Sequence, residues 1–224
     1  MRSTVAIQCS HDRRRLSVSV VGSYLDQMVP TSMLRILDVY CGEGSLGVLL
    51  KASRPNAQVW GIDPSHLHAQ SARKVLDRFL LGRLDGLSSL DLPEGFFDTI
   101  LLHRGFEDVL DPAGVLSQLK RFLSPEGRIV LDLPNAASST LISGLFEGRP
   151  SNGQGYTPIS ARLLLLDAHY RLLRQHSMGR TGNEAAEVLV RAAVALGLDG
   201  DRAREMLLTE RIVMEVEPVM PIVD

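Results

Sequence analysis

The stretch that decides the fold reads DVYCGEGSLG, residues 38–47, and it follows a short apolar run. Gly42, Gly44 and Gly47 satisfy the spacing G-x-G-x-x-G just before a helical pattern begins. Glycine lets the backbone turn sharply and come close to a bound ligand. Asp63 ends the next predicted strand, where an acid can accept hydrogen bonds from the two ribose hydroxyls of an adenosine. The sequence therefore predicts a unit that binds adenosine and consists of a strand, a glycine loop, a helix, a second strand and an acid.

The charge of Asp38 favours one adenosine cofactor over another. Asp38 lies four residues before Gly42, where the predicted strand runs into the loop. A carboxylate there would repel the pyrophosphate of NAD and attract the ammonium and sulfonium of S-adenosylmethionine. In a partly buried site such an attraction is favourable by about 1 kcal/mol or more. S-adenosylmethionine is therefore the predicted cofactor, and an NAD-dependent oxidoreductase is the rival that the glycine pattern leaves open.

Four stretches follow patterns that recur together in one protein family. They are ILDVYCGEG at 36–44, WGIDPS at 60–65, an acid followed by LP and FFD at 85–98, and a DP-to-GR segment at 111–128. Together they resemble the motifs of class I S-adenosylmethionine-dependent methyltransferases, most closely those that act on small molecules. Tyr40 departs from the family's first motif, LDVGCGxG, because it stands where the first glycine is common.

The resemblance implies a fold and a set of cofactor residues. The fold is α/β: a Rossmann-like, doubly wound sheet of seven strands, mostly parallel with an antiparallel final strand, and helices on both faces. Asp85 would lie near the adenine amino group. The predicted cofactor-binding residues are Asp38, Tyr40, Cys41, Gly42, Gly44, Asp63, Pro64, Asp85, Gly86 and His103.

Hydrophobic periodicity and turn residues predict the remaining elements. Strands are expected at 35–40, 58–62, 97–102, 128–133, 170–176 and 211–217, with two short ones near 4–8 and 16–20. Helices are expected at 24–28, 45–52, 65–80, after the N-cap Asp111, and at 137–146, 158–168, 184–196 and 199–208. Pro125 and Gly127 predict a turn. Strands that alternate with helices indicate a parallel sheet, which binds ligands outside the carboxyl ends of its strands.

The chain is long enough for one large domain, and a single methyltransferase domain is predicted over residues 1–224. Residues 1–32 would form an N-terminal cap segment, and residues 183–208 a helical insertion before the last strand. Residues 148–155 are rich in Gly, Ser, Asn and Pro, which is typical of a loop.

Two residues after the strand at 97–102 are candidate catalytic bases. His103 ends that strand at the ligand-binding edge. Asp108 stands where the related methyltransferases often have a histidine. If the acceptor is a hydroxyl, a base must take its proton. Imidazole titrates near neutral pH, whereas an exposed carboxylate is a poor base there, so His103 is preferred over Asp108.

The predicted reaction is methyl transfer to an oxygen, nitrogen or carbon of a small molecule, such as a sugar or a secondary metabolite. The protein would mainly align the acceptor and exclude water, because the donor is already activated. The alternative, from another functional class, is a non-catalytic domain that binds the cofactor or serves in an assembly.

Composition limits the kinds of binding partner that are expected. The formal net charge is −2 over 224 residues with no long block of one sign, so neither nucleic acid nor a membrane is an expected partner. Two cysteines predict neither a disulfide framework nor a zinc site, and His66 and His68 do not share a helix face, so no metal is predicted. A small-molecule substrate, a cytoplasmic location and a homodimer are the remaining expectations.

Overall fold

The computed structural model describes Gly22 and residues 24–148, 155–180, 182 and 184–219. The strands expected near 4–8 and 16–20 lie outside the described residues, as does most of the loop expected at 148–155. Residues 24–28 are helical, as predicted.

One sheet organises the described part of the chain. Its strands are β1 Arg35–Val39, β2 Gln58–Asp63, β3 Arg78–Leu81, β4 Phe97–Leu102, β5 Leu123–Pro134, β6 Tyr170–Arg180 and β7 Thr209–Pro218. They lie in the order β3-β2-β1-β4-β5-β7-β6. β7 pairs antiparallel with both β5 and β6, whereas the other neighbours are parallel, so β7 alone runs against the rest. The predicted fold class, with its reversed final strand, is confirmed.

Seven helices connect the strands in the described ranges. They are α1 Ser45–Ser53, α2 His66–Val75, α3 Pro112–Leu119, α4 Ser139–Phe146, α5 Pro158–Asp167, α6 Glu184–Ala195 and α7 Gly200–Leu208. Asp111 caps α3 by accepting a hydrogen bond from the backbone N–H of Gly114, as an aspartate before Pro112 predicts. Helices α6 and α7 occupy the position of the predicted insertion. None of these helices is long and apolar enough to cross a membrane.

The strands are buried on both faces, which explains their apolar sequences. Successive side chains of a strand point to opposite faces of a sheet. In β1, Ile36 accordingly belongs to one apolar cluster, whereas Leu37 and Val39 belong to another. Asp38 is a buried exception to this apolar pattern, and it lies near the carboxyl end of β1.

The long helix predicted at 65–80 is wrong in its last part. Helix α2 ends at Val75, and the residues that follow form β3 at the edge of the sheet. The helix does not continue through Asp77, because Asp77 forms hydrogen bonds with β2. Its backbone N–H donates to the carbonyl of Val59, and its carboxylate accepts from the N–H of Val59. Apolar periodicity continues through this point, so the pattern could not show a break that depends on bonding to β2.

The prediction of a turn at Pro125 and Gly127 is wrong. These residues lie inside β5, in a bulge where the pairing with β4 shifts register between Phe97 and Thr99. A Cβ on Gly127 would lie 2.8 Å from the Phe97 carbonyl oxygen, so only glycine fits this approach.

The two glycines of the loop after β1, Gly42 and Gly44, differ in how closely other residues pack against them. Both have left-handed backbone, with φ 56° at Gly42 and 87° at Gly44. A Cβ on Gly44 would lie 2.6 Å from Cγ2 of Val75, whereas a Cβ on Gly42 would meet nothing within 4 Å. Packing therefore requires a glycine at 44, and open space surrounds the backbone at 42.

We predict that Gly44→Ala destabilises the protein more than Gly42→Ala. Left-handed backbone costs a non-glycine residue about 1–2 kcal/mol at either site, and overpacking adds about 1–3 kcal/mol at Gly44 alone. The free energy of unfolding in urea measures both variants. Equal losses would contradict the packing argument.

Candidate cofactor and methyl-transfer site

The glycine loop is fixed by the end of the neighbouring strand. The backbone N–H of Gly42 donates to Oδ2 of Asp63 at 2.9 Å, and the N–H of Cys41 donates to the carbonyl of Ile62 at 3.1 Å. Asp63 is buried, and its Oδ1 accepts the backbone N–H of Ser65 at 2.8 Å. The predicted ribose acid is thus also a structural part of the loop.

Tyr40 shows how the loop accommodates its departure from the family motif. Its φ is 58°, the left-handed conformation that a glycine would adopt easily. Its ring lies against Gly105, where a Cβ would come within 2.7 Å of the ring. Burial raises the pKa of the Tyr40 hydroxyl. A tyrosine is therefore tolerated at 40 because a glycine faces it at 105, at the carboxyl end of β4.

A cavity of about 500 Å³ opens beside this loop. That size suits a small-molecule site. Four residues of the predicted site line it: Tyr40, Cys41, Gly42 and His103. The other lining residues are Gly22, Leu25, Glu43, Ser45, Leu46, His68, Arg104, Glu107, Asp132 and Arg211. The loop, the helical residues near 25 and the ends of β4, β5 and β7 thus enclose one space.

Asp38 and His103 form a buried pair between β1 and β4. Nε2 of His103 lies 2.7 Å from Oδ1 of Asp38. The Asp38 side chain is fully buried, and its Oδ2 has no hydrogen-bond partner among the described residues. The His103 side chain is 11% exposed and lines the cavity. Because a carboxylate carries no hydrogen, Nε2–H donates, and the neutral ring keeps its lone pair on Nδ1.

Several predicted residues lie away from the cavity lining. The Asp85 side chain is 57% exposed and pairs with Arg83. Gly86 lies beside it in the short 3₁₀ segment Leu84–Ser89. Asp108 is exposed in a second such turn, and it is not among the lining residues. The structure therefore brings His103, but not Asp108, to the cavity.

An ion pair between the buried Asp132 and the partly buried Arg211 was not predicted from the sequence. Nε of Arg211, on β7, donates to Oδ1 of Asp132 on β5 at 2.7 Å. Burial raises the pKa of Asp132, although the Arg211 charge opposes the shift. Both residues line the cavity together with Arg104 and Glu107. The available signal was an aspartate inside an otherwise apolar strand, close to its carboxyl end.

The residues present fit an adenosine cofactor with a charged amino-acid tail. Open space at the Gly42 Cβ position lets a ligand approach the backbone there. Asp63 accepts three hydrogen bonds through its two oxygens, which offer about four acceptor positions. The free, buried Oδ2 of Asp38 is an acceptor suited to an ammonium group.

Residues 30–162 match the methyltransferase-domain family. The chain belongs to the class I S-adenosylmethionine-dependent methyltransferases. This membership confirms the predicted family, and S-adenosylmethionine is the methyl donor of that family. The glycine loop, Asp38 and Asp63 all lie within the matched residues.

Relatives of this methyltransferase domain include several other methyltransferases. The demethylmenaquinone methyltransferase of Thermus thermophilus is 38% identical over 107 residues, which are 45% of this chain and 47% of the relative. An uncharacterized 37.1 kDa transposon protein of Streptomyces fradiae is 32% identical over 53% of this chain and 40% of its own length. The chain thus spans less than half the length of these two curated relatives.

Solved structures support the fold of the methyltransferase domain. A SAM-dependent methyltransferase from Archaeoglobus fulgidus superposes with a TM-score of 0.64 at 16% identity. The superposition covers 92% of this chain and 99% of the other. At that identity the likeness concerns the fold.

We predict that Asp38→Asn weakens S-adenosylhomocysteine much more than adenosine. The substitution keeps the size of the side chain and removes a buried charge, and only S-adenosylhomocysteine carries an ammonium. The expected loss is about tenfold, since an attraction of about 1.4 kcal/mol changes affinity tenfold. Calorimetric titration of both ligands measures the difference. Equal losses would mean that Asp38 acts through the structure of the loop.

Proposed function

We propose that the protein transfers a methyl group from S-adenosylmethionine to a small-molecule acceptor. When bound, the donor supplies a methyl group on a sulfonium, which is activated towards in-line displacement. The chain's own contribution would be to hold the donor, to align the acceptor and to exclude water. Asp63 and the Gly42 backbone would hold the adenosine end, and Asp38 would attract the ammonium.

The polar wall of the cavity supports a polar acceptor. Arg104, Glu107, Asp132 and Arg211 all lie at the ends of β4, β5 and β7, across from the glycine loop. Oε2 of Glu107 and Oδ2 of Asp132 are buried without a hydrogen-bond partner among the described residues, which favours ligands that donate hydrogen bonds to them. A sugar or a polar secondary metabolite would do so. The name of the Thermus thermophilus relative makes a reduced quinone the natural comparison substrate.

One observation carries the catalytic part of the proposal: the 2.7 Å contact between Nε2 of His103 and Oδ1 of Asp38 at the cavity. Asp38 holds the imidazole in one tautomer and one orientation. Nδ1 would then accept the proton of a hydroxyl acceptor, and the buried carboxylate would stabilise the imidazolium that forms. His103 is preferred over Asp108 because it lines the cavity. A nitrogen acceptor that reacts as the free amine would need no such base.

A single domain over the whole chain, a cytoplasmic location and a homodimer stay predictions.

The donor is tested by binding. We expect S-adenosylhomocysteine to bind with micromolar or tighter affinity and to stabilise the protein by about 2.7 kcal/mol at 100 times its dissociation constant. Asp63→Ala should weaken it by about 1.5–3 kcal/mol, because the ribose hydroxyls lose a charged acceptor. Binding of NADH without binding of S-adenosylhomocysteine would favour the oxidoreductase instead.

The base is tested with acceptors from polar hydroxyl, amine and reduced-quinone classes, by following S-adenosylhomocysteine release. For a hydroxyl acceptor, His103→Ala should lower kcat by about 10²–10⁴-fold and abolish the acidic limb of the pH profile. Asp108→Ala is the matched control and should change kcat little. An unchanged profile in His103→Ala would remove His103 from the mechanism. Cofactor binding without turnover of any acceptor would favour the non-catalytic alternative.

A further inference from the structure

His68 lies directly on the predicted ribose acid. It belongs to the first turn of α2, whose N-cap is Ser65. Nδ1 of His68 is 2.9 Å from Oδ1 of Asp63. Because the carboxylate has no hydrogen to give, Nδ1–H is the donor. The His68 side chain is 39% exposed and lines the cavity, whereas the Asp63 side chain is only 6% exposed. Of the two side chains, only the imidazole lines the cavity.

The hydrogen bonds of Asp63 leave too little room for a ribose. Its two oxygens can accept about four hydrogen bonds in total, two on each. Oδ1 already accepts the N–H of Ser65 and Nδ1–H of His68, and Oδ2 accepts the N–H of Gly42. One position remains, on Oδ2. A ribose that offers both its hydroxyls to this carboxylate needs one position on each oxygen.

Only one of the three donors can leave without disturbing the fold. The N–H of Ser65 belongs to the start of α2, and the N–H of Gly42 belongs to the glycine loop. Moving either would shift backbone that the site itself requires. His68 is a side chain with a partly exposed ring, so rotation about its own bonds would free Oδ1.

We propose that His68 is a placeholder for one ribose hydroxyl: it occupies Oδ1 of Asp63 in the free protein and is displaced when the cofactor binds. The proposal rests on the proposed function, because it takes an adenosine cofactor as the ligand. In the free protein His68 satisfies a buried carboxylate that would otherwise lack a donor at that position. On binding, the ligand must replace this hydrogen bond, so His68 lowers affinity for every ligand that uses both hydroxyls.

Displacement of His68 also affects how the site discriminates between ligands with an intact ribose and ligands with a modified one. A ligand with both hydroxyls free displaces His68 and gains two hydrogen bonds to Asp63. A ligand with one hydroxyl missing or substituted can use only the open position on Oδ2, and His68 stays in place. His68 thus narrows the difference in affinity between an unmodified ribose and a modified one, because only the unmodified ribose has to displace it.

The first experiment is calorimetric titration of S-adenosylhomocysteine into the wild-type protein, His68→Ala and His66→Ala. His66 is the matched control, because it is an exposed histidine in the same helical turn and is not among the residues that line the cavity. We expect His68→Ala to bind about three- to tenfold more tightly than wild type, which corresponds to about 0.7–1.4 kcal/mol. His66→Ala should match wild type. Unchanged or weaker binding by His68→Ala overturns the proposal, since a residue that contacts the cofactor would show the opposite sign.

The second experiment tests whether the gain in affinity depends on the ribose hydroxyls. Adenosine, 2′-deoxyadenosine and 3′-deoxyadenosine are titrated into the same proteins. Adenosine should gain from His68→Ala as S-adenosylhomocysteine does. Each deoxynucleoside should bind wild type and His68→Ala equally, because its one hydroxyl can use the open position on Oδ2. A gain of the same size for all three nucleosides overturns the proposal, because the effect would then not involve the ribose.

The two experiments separate this proposal from the proposed function. If wild type and His68→Ala both fail to bind S-adenosylhomocysteine, the proposed function and the placeholder fail together. If wild type binds it and His68→Ala shows no gain, only the placeholder fails. A single cooperative unfolding transition in each ligand-free protein confirms that the comparison is made between intact folds.

Discussion

The hydrogen bond from the Gly42 N–H to Asp63 joins the carboxyl ends of β1 and β2, and the arrangement of the cofactor site depends on it. The loop after β1 holds three residues in left-handed backbone, Tyr40, Gly42 and Gly44, which would not be stable in an isolated chain. A buried carboxylate that accepts hydrogen bonds from backbone N–H groups fixes such a loop. The glycine pattern and the distant acid therefore work as one unit.

The same principle places charge at the carboxyl ends of the next strands. Asp38 on β1 is paired with His103 from β4, and Asp132 on β5 is paired with Arg211 from β7. Each carboxylate has a partner on another strand, and each keeps one buried oxygen without a partner among the described residues. An unpaired buried oxygen costs stability, which is typical of a site whose groups are completed by ligands.

The reversed strand β7 explains why an arginine near the end of the sequence reaches this site. A parallel strand would begin at the opposite edge of the sheet. Because β7 runs antiparallel to β5, its first residues lie beside the last residues of β5, and Arg211 pairs in register with Pro134. β6 ends at the same edge, since Arg180 pairs in register with Thr209, so α6 and α7 connect β6 to β7 without crossing the sheet.

The sequence by itself determined the glycine loop, the acid at 63, the family and the class of fold, because these depend on local spacing and on the alternation of strands with helices. It also placed His103 at the functional edge. Tertiary structure alone decided that α2 stops at Val75, since the stop depends on Asp77 bonding to β2. It also decided which polar groups meet: the Asp132–Arg211 pair joins residues 79 positions apart, and the Asp38–His103 pair joins residues 65 positions apart. Local patterns record a residue's neighbours along the chain, whereas these contacts follow from strand order, strand direction and the packing of a helix on a sheet.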